Sequence, residues 1–383
     1  MPEVASRLVV AGVTTRALAL SAARAGWNVT ALDAFGDLDL RAAVRTIALP
    51  RGERPFDPAA AALAARAVPA DAAAYTSSFE NHPAAVAALA KGRRLLGNPP
   101  QVIERVRDPF LLMRALRRAG IEVPETRATP PRAVAPRQRW LLKPRRSGGG
   151  HGTSIWRPGL PVGRQHYLQE RVAGIVGSVT FLADGRRALV LGISRQLVGE
   201  REFGGRGFRY CGSMLGRGLF DEEPALLARA SAMAETVTRE FGLVGLNGID
   251  FVARDGVPWP IEVNPRYSAS MELLERAANI SLFALHADAC GGRLPAAPPA
   301  APRRVHGKAI VFARRGITAG DTRGWLRDVT IADVPQPDER IPRDRPICTV
   351  FASAPSESAC RDALAARAAA IYHAVEPAAR GAA

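Results

Sequence analysis

The run Ile261-Glu262-Val263-Asn264-Pro265-Arg266 places Glu262 twelve residues beyond Asp250, with the turn signal Arg254-Asp255-Gly256-Val257 between them. Strand side chains alternate faces, so Glu262 and Asn264 point the same way, and a hairpin through Asp255-Gly256 brings Asp250 opposite them. Two carboxylates and a carboxamide on one face suit a hard divalent cation, Mg²⁺ above all, which keeps water and phosphate oxygens as its other ligands. Arg266, just past the end of that face, is placed to hold a phosphoryl oxygen in a two-pronged contact. The same residues would also suit a solvated strand pair at a sheet edge, since x-E-x-N is a short pattern.

A second candidate lies upstream. Trp140-Leu141-Leu142-Lys143-Pro144 reads as a strand and runs straight into Arg145-Arg146-Ser147-Gly148-Gly149-Gly150-His151-Gly152-Thr153. Glycines let backbone N–H groups close around phosphate oxygens, and Lys143 adds a point charge. The G-K-[ST] ending of a P-loop is missing, and a flexible surface loop fits the composition equally well. Lysine is rare here: Lys91, Lys143 and Lys308 are the only three. Where arginine carries nearly all the positive charge, a lysine suggests a place that needs a compact ammonium.

The elements that must position these groups follow from the apolar pattern. Leu8 to Val13, Thr15 to Ala25 and Trp27 to Asp33 read as a β-α-β unit. Its turn carries one glycine, Gly12, and lacks the dinucleotide G-x-G-x-x-G set. A helix at 58–68 and a strand from Ala73 lead to Glu80 and Asn81, where open α/β sheets present a ligand crevice. A helix from Pro109 to Gly120 precedes a Pro/Arg-rich surface link at 130–139. Tyr167-Leu168-Gln169-Glu170-Arg171-Val172-Ala173-Gly174 reads as a strand turning into a hinge. Strands are expected at 178–183 and 188–194, a glycine- and arginine-rich loop at 199–218, a helix at 223–242, the acidic hairpin, and one amphipathic helix from Met271 to Cys290. A Pro-rich stretch at 294–302 sets off strands at 308–313 and 347–352 and a last helix at 356–373.

With 383 residues and 47% hydrophobic content, the chain has the material for two or three domains with real cores. No apolar run of membrane-spanning length occurs, and the first residues lack the basic region and apolar block of a signal peptide, so a cytoplasmic protein is expected. Cys211, Cys290, Cys348 and Cys360 have no metal-ligand spacing and read as packed thiols. A formal charge of +16 invites a nucleic-acid reading. The charge is arginine spread along an Ala-, Gly- and Pro-rich sequence, with no aromatic-interleaved basic motif, so neither a nucleic acid nor a membrane is the expected partner.

Taken in order, the lone lysine on a strand, the glycine-rich loop, the Gln-Glu-x-Val hinge and the late Asp250, Glu262, Asn264, Arg266 hairpin resemble the ATP-grasp superfamily. The run Glu-Val-Asn-Pro-Arg-Tyr-Ser-Ala-Ser is most similar to predicted ATP-dependent carboligases related to biotin carboxylase. The resemblance implies an α/β and α+β architecture: a Rossmann-like domain over residues 1–107, ATP-grasp subdomains over 108–172 and 173–300, and a C-terminal strand-helix extension over 301–383. It further implies that Lys143 contacts ATP phosphates and that Ser147, Gly148, Gly149, Gly150 and Gly152 fold over them. Gln169, Glu170 and Val172 would meet the adenine, the last two through backbone groups. Asp250, Glu262 and Asn264 would hold one or two Mg²⁺, with Mn²⁺ as a substitute, and Arg266 would steady an acyl phosphate.

The implied activity is an ATP-dependent ligase joining a carboxylate to an amine or amino acid, in the synthesis of a methanopterin- or methanofuran-type one-carbon cofactor, by a protein that pairs as a homodimer. The alternatives are a bicarbonate-using carboxylase and a non-catalytic nucleotide-binding regulator. Three positions depart from the pattern. Pro109 stands where relatives place a lysine, Gly177-Ser178 where they tend to use a ribose-binding glutamate, and Ser270 where biotin carboxylases carry a glutamate base. Glu272 is expected on the following helix, away from that role. Glu80, Arg195, Ser268 and Ser270, with Gln196, Arg201, Arg206 and Arg209, are candidate contacts for an anionic acceptor.

Overall fold

The computed structural model describes residues 6–49, 56–131 and 139–375. The chain opens on a five-stranded parallel sheet in the order Arg45–Ala48, Asn28–Asp33, Arg7–Gly12, Ala72–Tyr75, Arg94–Leu95. Leu8 pairs with Val29 on one side and Ala72 on the other. The central strands are buried on both faces, as a parallel sheet sandwiched by helices requires. The order reverses between Arg7–Gly12 and Ala72–Tyr75, so a crevice opens beyond their carboxyl ends. The turn at Phe79–Asn81 sits at that crevice and carries Glu80.

A four-stranded antiparallel sheet follows, in the order Thr126–Arg127, His166–Glu170, Trp140–Pro144, Ser154–Ile155. It has its own small core of Trp140, Trp156 and Leu168. The helix Pro109–Arg118 leads into it, capped by Asp108, whose carboxylate accepts the N–H groups of Phe110 and Leu111 at 2.8 and 2.9 Å. Of the expected link at 130–139, residues 132–138 lie outside those described.

The largest sheet has eight strands: Val257–Asn264, Val244–Arg254, Ile175–Asp184, Ala188–Val198, Tyr210–Leu215, Val305–Phe312, Pro346–Ala354 and Ile331–Ala332. One face is packed by helices Glu223–Phe241 and Glu357–Val375, with Val179, Phe181 and Ile249 against Met233 and Val237. The first of these helices buries Leu226, Ala230, Met233, Ala234, Val237 and Phe241 at three- and four-residue spacing, and stops at Gly242. The other face is divided. Its apolar half, Leu182, Leu191, Leu215, Leu246 and Phe351, packs toward Leu18, Leu273 and Phe283; its polar half holds Asp250 and Glu262.

Two expectations are corrected. Residues 199–218 are not all loop: Tyr210–Leu215 is a strand, paired on both sides through Gln196↔Ser213 and Ser213↔Lys308. Its glycines hide a pairing that depends on two distant partners. The helix expected at 271–290 is two helices, Met271–Ala278 and Leu282–Cys290. Asn279 adopts a left-handed conformation (φ 52°), and the Ser281 hydroxyl caps the second helix at Ala284 N–H, 3.1 Å. Beyond residue 301, Val305–Phe312 and Pro346–Ala354 extend the eight-stranded sheet.

Candidate nucleotide and metal site

Asp250 and Glu262 are direct cross-strand partners, with Asn264 opposite Gly248 on the same face. The two-residue turn explains the register: Asp255 and Gly256 both have positive φ (53° and 67°), the geometry of the hairpin turn that Asp-Gly favours. The Asn264 amide donates to Asp250 Oδ2 at 3.0 Å, and the Gln196 amide, from the strand two away, donates to Oδ1 at 2.9 Å. Burial and then the neighbouring Glu262 charge push the Asp250 carboxyl up to about 6. Glu262 itself is held below its ordinary value, because Arg107 and Lys143 outweigh the burial that would raise it.

Two half-buried carboxylates that repel each other, with an amide beside them, are the donor set a hard cation relieves. Among the described residues no three His, Cys, Asp or Glu side chains gather as a metal cage. The set therefore fits an ion that retains water and phosphate ligands, and not a closed four-ligand site.

Lys143 projects from Trp140–Pro144 toward this pair. Its ammonium donates to Gln169 Oε1 at 3.1 Å, and the Gln169 amide donates to the Ile261 carbonyl at 3.2 Å, next to Glu262. Lysine and glutamine thus bolt the small sheet to the acidic hairpin. Glu170 is likewise engaged: its N–H donates to the Glu125 carbonyl at 2.7 Å and its carboxylate accepts Glu125 N–H at 3.2 Å. Val172 lies half-buried in the connection between the two antiparallel sheets, outside any strand.

The glycine-rich loop lies over the site. Ser147 Oγ donates to the His151 carbonyl at 3.0 Å, and a side chain on Gly148 would come within 3.9 Å of both Glu80 and Arg266. Gly150 (φ 76°) leaves no room at all: a Cβ there would stand 1.8 Å from the Phe208 carbonyl of the second glycine-rich loop. Tyr210 N–H donates to the Gly149 carbonyl at 3.1 Å, so the two loops are laced together. Gly152 closes the turn into Ser154–Ile155.

Arg266 and Glu80 form a buried pair at 2.5 Å. Glu80 Oε2 and Arg266 Nε have no partner, and neither do Arg107 Nε and Arg145 Nε. Three guanidinium N–H groups without acceptors around one cleft point to an anionic ligand, because buried donors are otherwise satisfied.

Ser268 and Ser270 stand 3.2 Å apart at the start of Met271–Ala278, adjoining Arg266. Arg195 does not join them. It faces the side opposite Gln196 and pairs with Glu357 of the last helix at 2.5 Å. Arg206 and Arg209 turn to Asp344. Glu272 is on the helix, gripped by Arg16 at 2.8 Å and Lys308 at 2.8 Å, so it is no free base. Lys308 thus serves a buried ion network that joins the Rossmann-like sheet to the large one. Sequence reading passed over Arg107, which belongs to no motif of its own.

Residues 106–270 match the family described as ATP-grasp domain. An uncharacterized protein of Methanocaldococcus jannaschii is 33% identical over 118 residues, spanning 30% of this chain and 28% of that protein. Among solved structures, the biotin carboxylase of Campylobacter jejuni in complex with β-γ-ATP superposes with TM-score 0.70 at 15% identity, covering 94% of this chain and 89% of that one. N5-carboxyaminoimidazole ribonucleotide synthetase from Thermus thermophilus gives 0.66 at 17%, covering 97% and 99%. The L-amino acid ligase of Bacillus licheniformis gives 0.65 at 17%, covering 97% and 98%. A similar pyruvate carboxylase from Rhizobium etli (TM-score 0.72, 15% identity) is matched over 95% of this chain but only 37% of its own length. At these identities the likeness to the solved structures is one of fold.

Proposed function

We infer that this protein, which carries an ATP-grasp domain over residues 106–270, is an ATP- and Mg²⁺-dependent, ADP-forming ligase that activates a carboxylate and passes it to an amine or amino acid. The observation that carries this reading is the repelling Asp250–Glu262 pair set beneath a glycine loop and ringed by guanidinium groups with unanswered N–H donors. Asp250, Glu262 and Asn264 would hold Mg²⁺, which would supply charge neutralisation to a transferring phosphoryl group. Lys143 and the loop from Ser147 to Gly152 face the phosphates. Arg266, aimed by Glu80, orients the substrate carboxylate and the acyl phosphate made from it. The amine then displaces phosphate, and positioning with charge neutralisation supplies most of the catalysis.

Ser270 takes the place of the biotin carboxylase glutamate, and Glu272 is committed to Arg16 and Lys308. A carboxylate–amine ligase is therefore preferred over a carboxylase. The pathway reading, a methanopterin- or methanofuran-type cofactor, rests on the family resemblance alone.

The test is ADP release across a panel of carboxylic acids and amines, with bicarbonate alone as a separate arm. An acid and an amine should both be required, and Asp250→Ala or Glu262→Ala should abolish turnover while leaving the circular dichroism spectrum unchanged. Full turnover in either variant, or ADP release with bicarbonate and no amine, overturns the reading.

A further inference from the structure

Arg107 occupies a position that no other residue of the site shares. It follows the helix Pro100–Val106, and its side chain is about nine-tenths buried, with 11% of its surface exposed. Nη1 donates to Glu262 Oε2 at 3.2 Å and to the Val263 carbonyl at 3.1 Å. Nη2 donates to Asn81 Oδ1 at 3.2 Å and to the Ser147 carbonyl at 2.8 Å. One guanidinium thereby touches the acidic hairpin, the glycine loop and the crevice of the Rossmann-like sheet. Its Nε keeps a buried N–H without an acceptor.

We propose that Arg107 is a positioning residue that couples the three parts of the site: it restrains the Glu262 carboxylate, holds the glycine loop down through Ser147, and offers its unpartnered Nε to nucleotide phosphate. The proposal rests on the ligase reading. One physical fact favours arginine in this place: a planar fork reaches two acceptors on one side and two on the other while keeping Nε free, which an ammonium cannot do.

The test uses the full chain and its Arg107→Met and Arg107→Lys variants. Calorimetry measures affinity for Mg-ATP, Mg-ADP and adenosine, and hydrogen exchange follows residues 146–153 in nucleotide-free protein. Arg107→Met should bind Mg-ATP about tenfold or more weakly, the cost of a lost charge-assisted bond, with adenosine affinity unchanged. Exchange at 146–153 should rise. Arg107→Lys should recover part of the Mg-ATP affinity but not the loop protection, and it decides the matter if the methionine variant does not fold. Mg-ATP affinity within twofold of the parent, together with unchanged loop exchange, overturns the proposal and leaves the ligase reading standing. No Mg-ATP binding by the parent protein overturns both.

Discussion

Glu80 and Arg266, 186 residues apart in the chain, meet at 2.5 Å with each keeping one buried polar atom unpartnered. Glu80 belongs to the crevice of the parallel sheet and Arg266 to the end of the acidic hairpin, so the pair joins the two. Removing one partner strands a buried charge, which costs about 3–5 kcal/mol. Glu80→Ala and Arg266→Ala should each lower the thermal midpoint, and the double variant should be less destabilised than the sum. Additive losses in this double-mutant cycle would show that the two side chains do not act together.

The Asp250 carboxyl, pushed up from 3.8 to about 6, sets a pH dependence. Between those values the folded protein keeps a proton that the unfolded chain has released, so metal-free stability falls as pH rises through the window and levels off above about 6. Mg²⁺ needs the ionised form, so its stabilising effect should be absent near the lower value and full above about 7. Asp250→Asn should remove both trends and stabilise the metal-free protein at neutral pH by about 1–2 kcal/mol. Thermal denaturation across pH, with and without Mg²⁺, checks this, and a variant with the parent's pH profile would exclude Asp250 as the titrating group.

Gly150 tests the closed loop. Alanine there combines a positive φ of 76° with a contact 1.8 Å from the Phe208 carbonyl. The strain, about 1–3 kcal/mol, is relieved by lifting the loop, since the segment is exposed on its outer side. Gly150→Ala should keep the fold and its thermal midpoint but bind Mg-ATP roughly five- to a hundredfold more weakly. Unchanged affinity by calorimetry would mean that the laced arrangement with the second loop has no part in nucleotide binding.

The hairpin was legible because its signals are local: alternation placed Glu262 with Asn264, and Asp255-Gly256 turned the chain so that Asp250 came opposite. Lys143 at a strand end before the glycines was legible for the same reason. Arg195 and Gln196 were candidates together, but Arg195 pairs with Glu357 while Gln196 reaches Asp250, because one step along a strand reverses the face. The break at Asn279 and the strand Tyr210–Leu215 were missed, the first a left-handed cap inside a helical pattern, the second a strand whose pairing lies with Gln196 and Lys308.

By itself, then, the order of residues determined which side chains could carry charge and where the chain must turn, since those depend on chemistry and on neighbours a few positions away. The choice of partners was left to the tertiary structure. Arg107 reaches Glu262, Ser147 and Asn81 only because the large sheet, the glycine loop and the parallel-sheet crevice meet there, and Glu272 loses its freedom only because Arg16 and Lys308 arrive from opposite ends of the chain. A buried charge takes whatever counter-charge packing brings to it, and packing is a property of the whole fold.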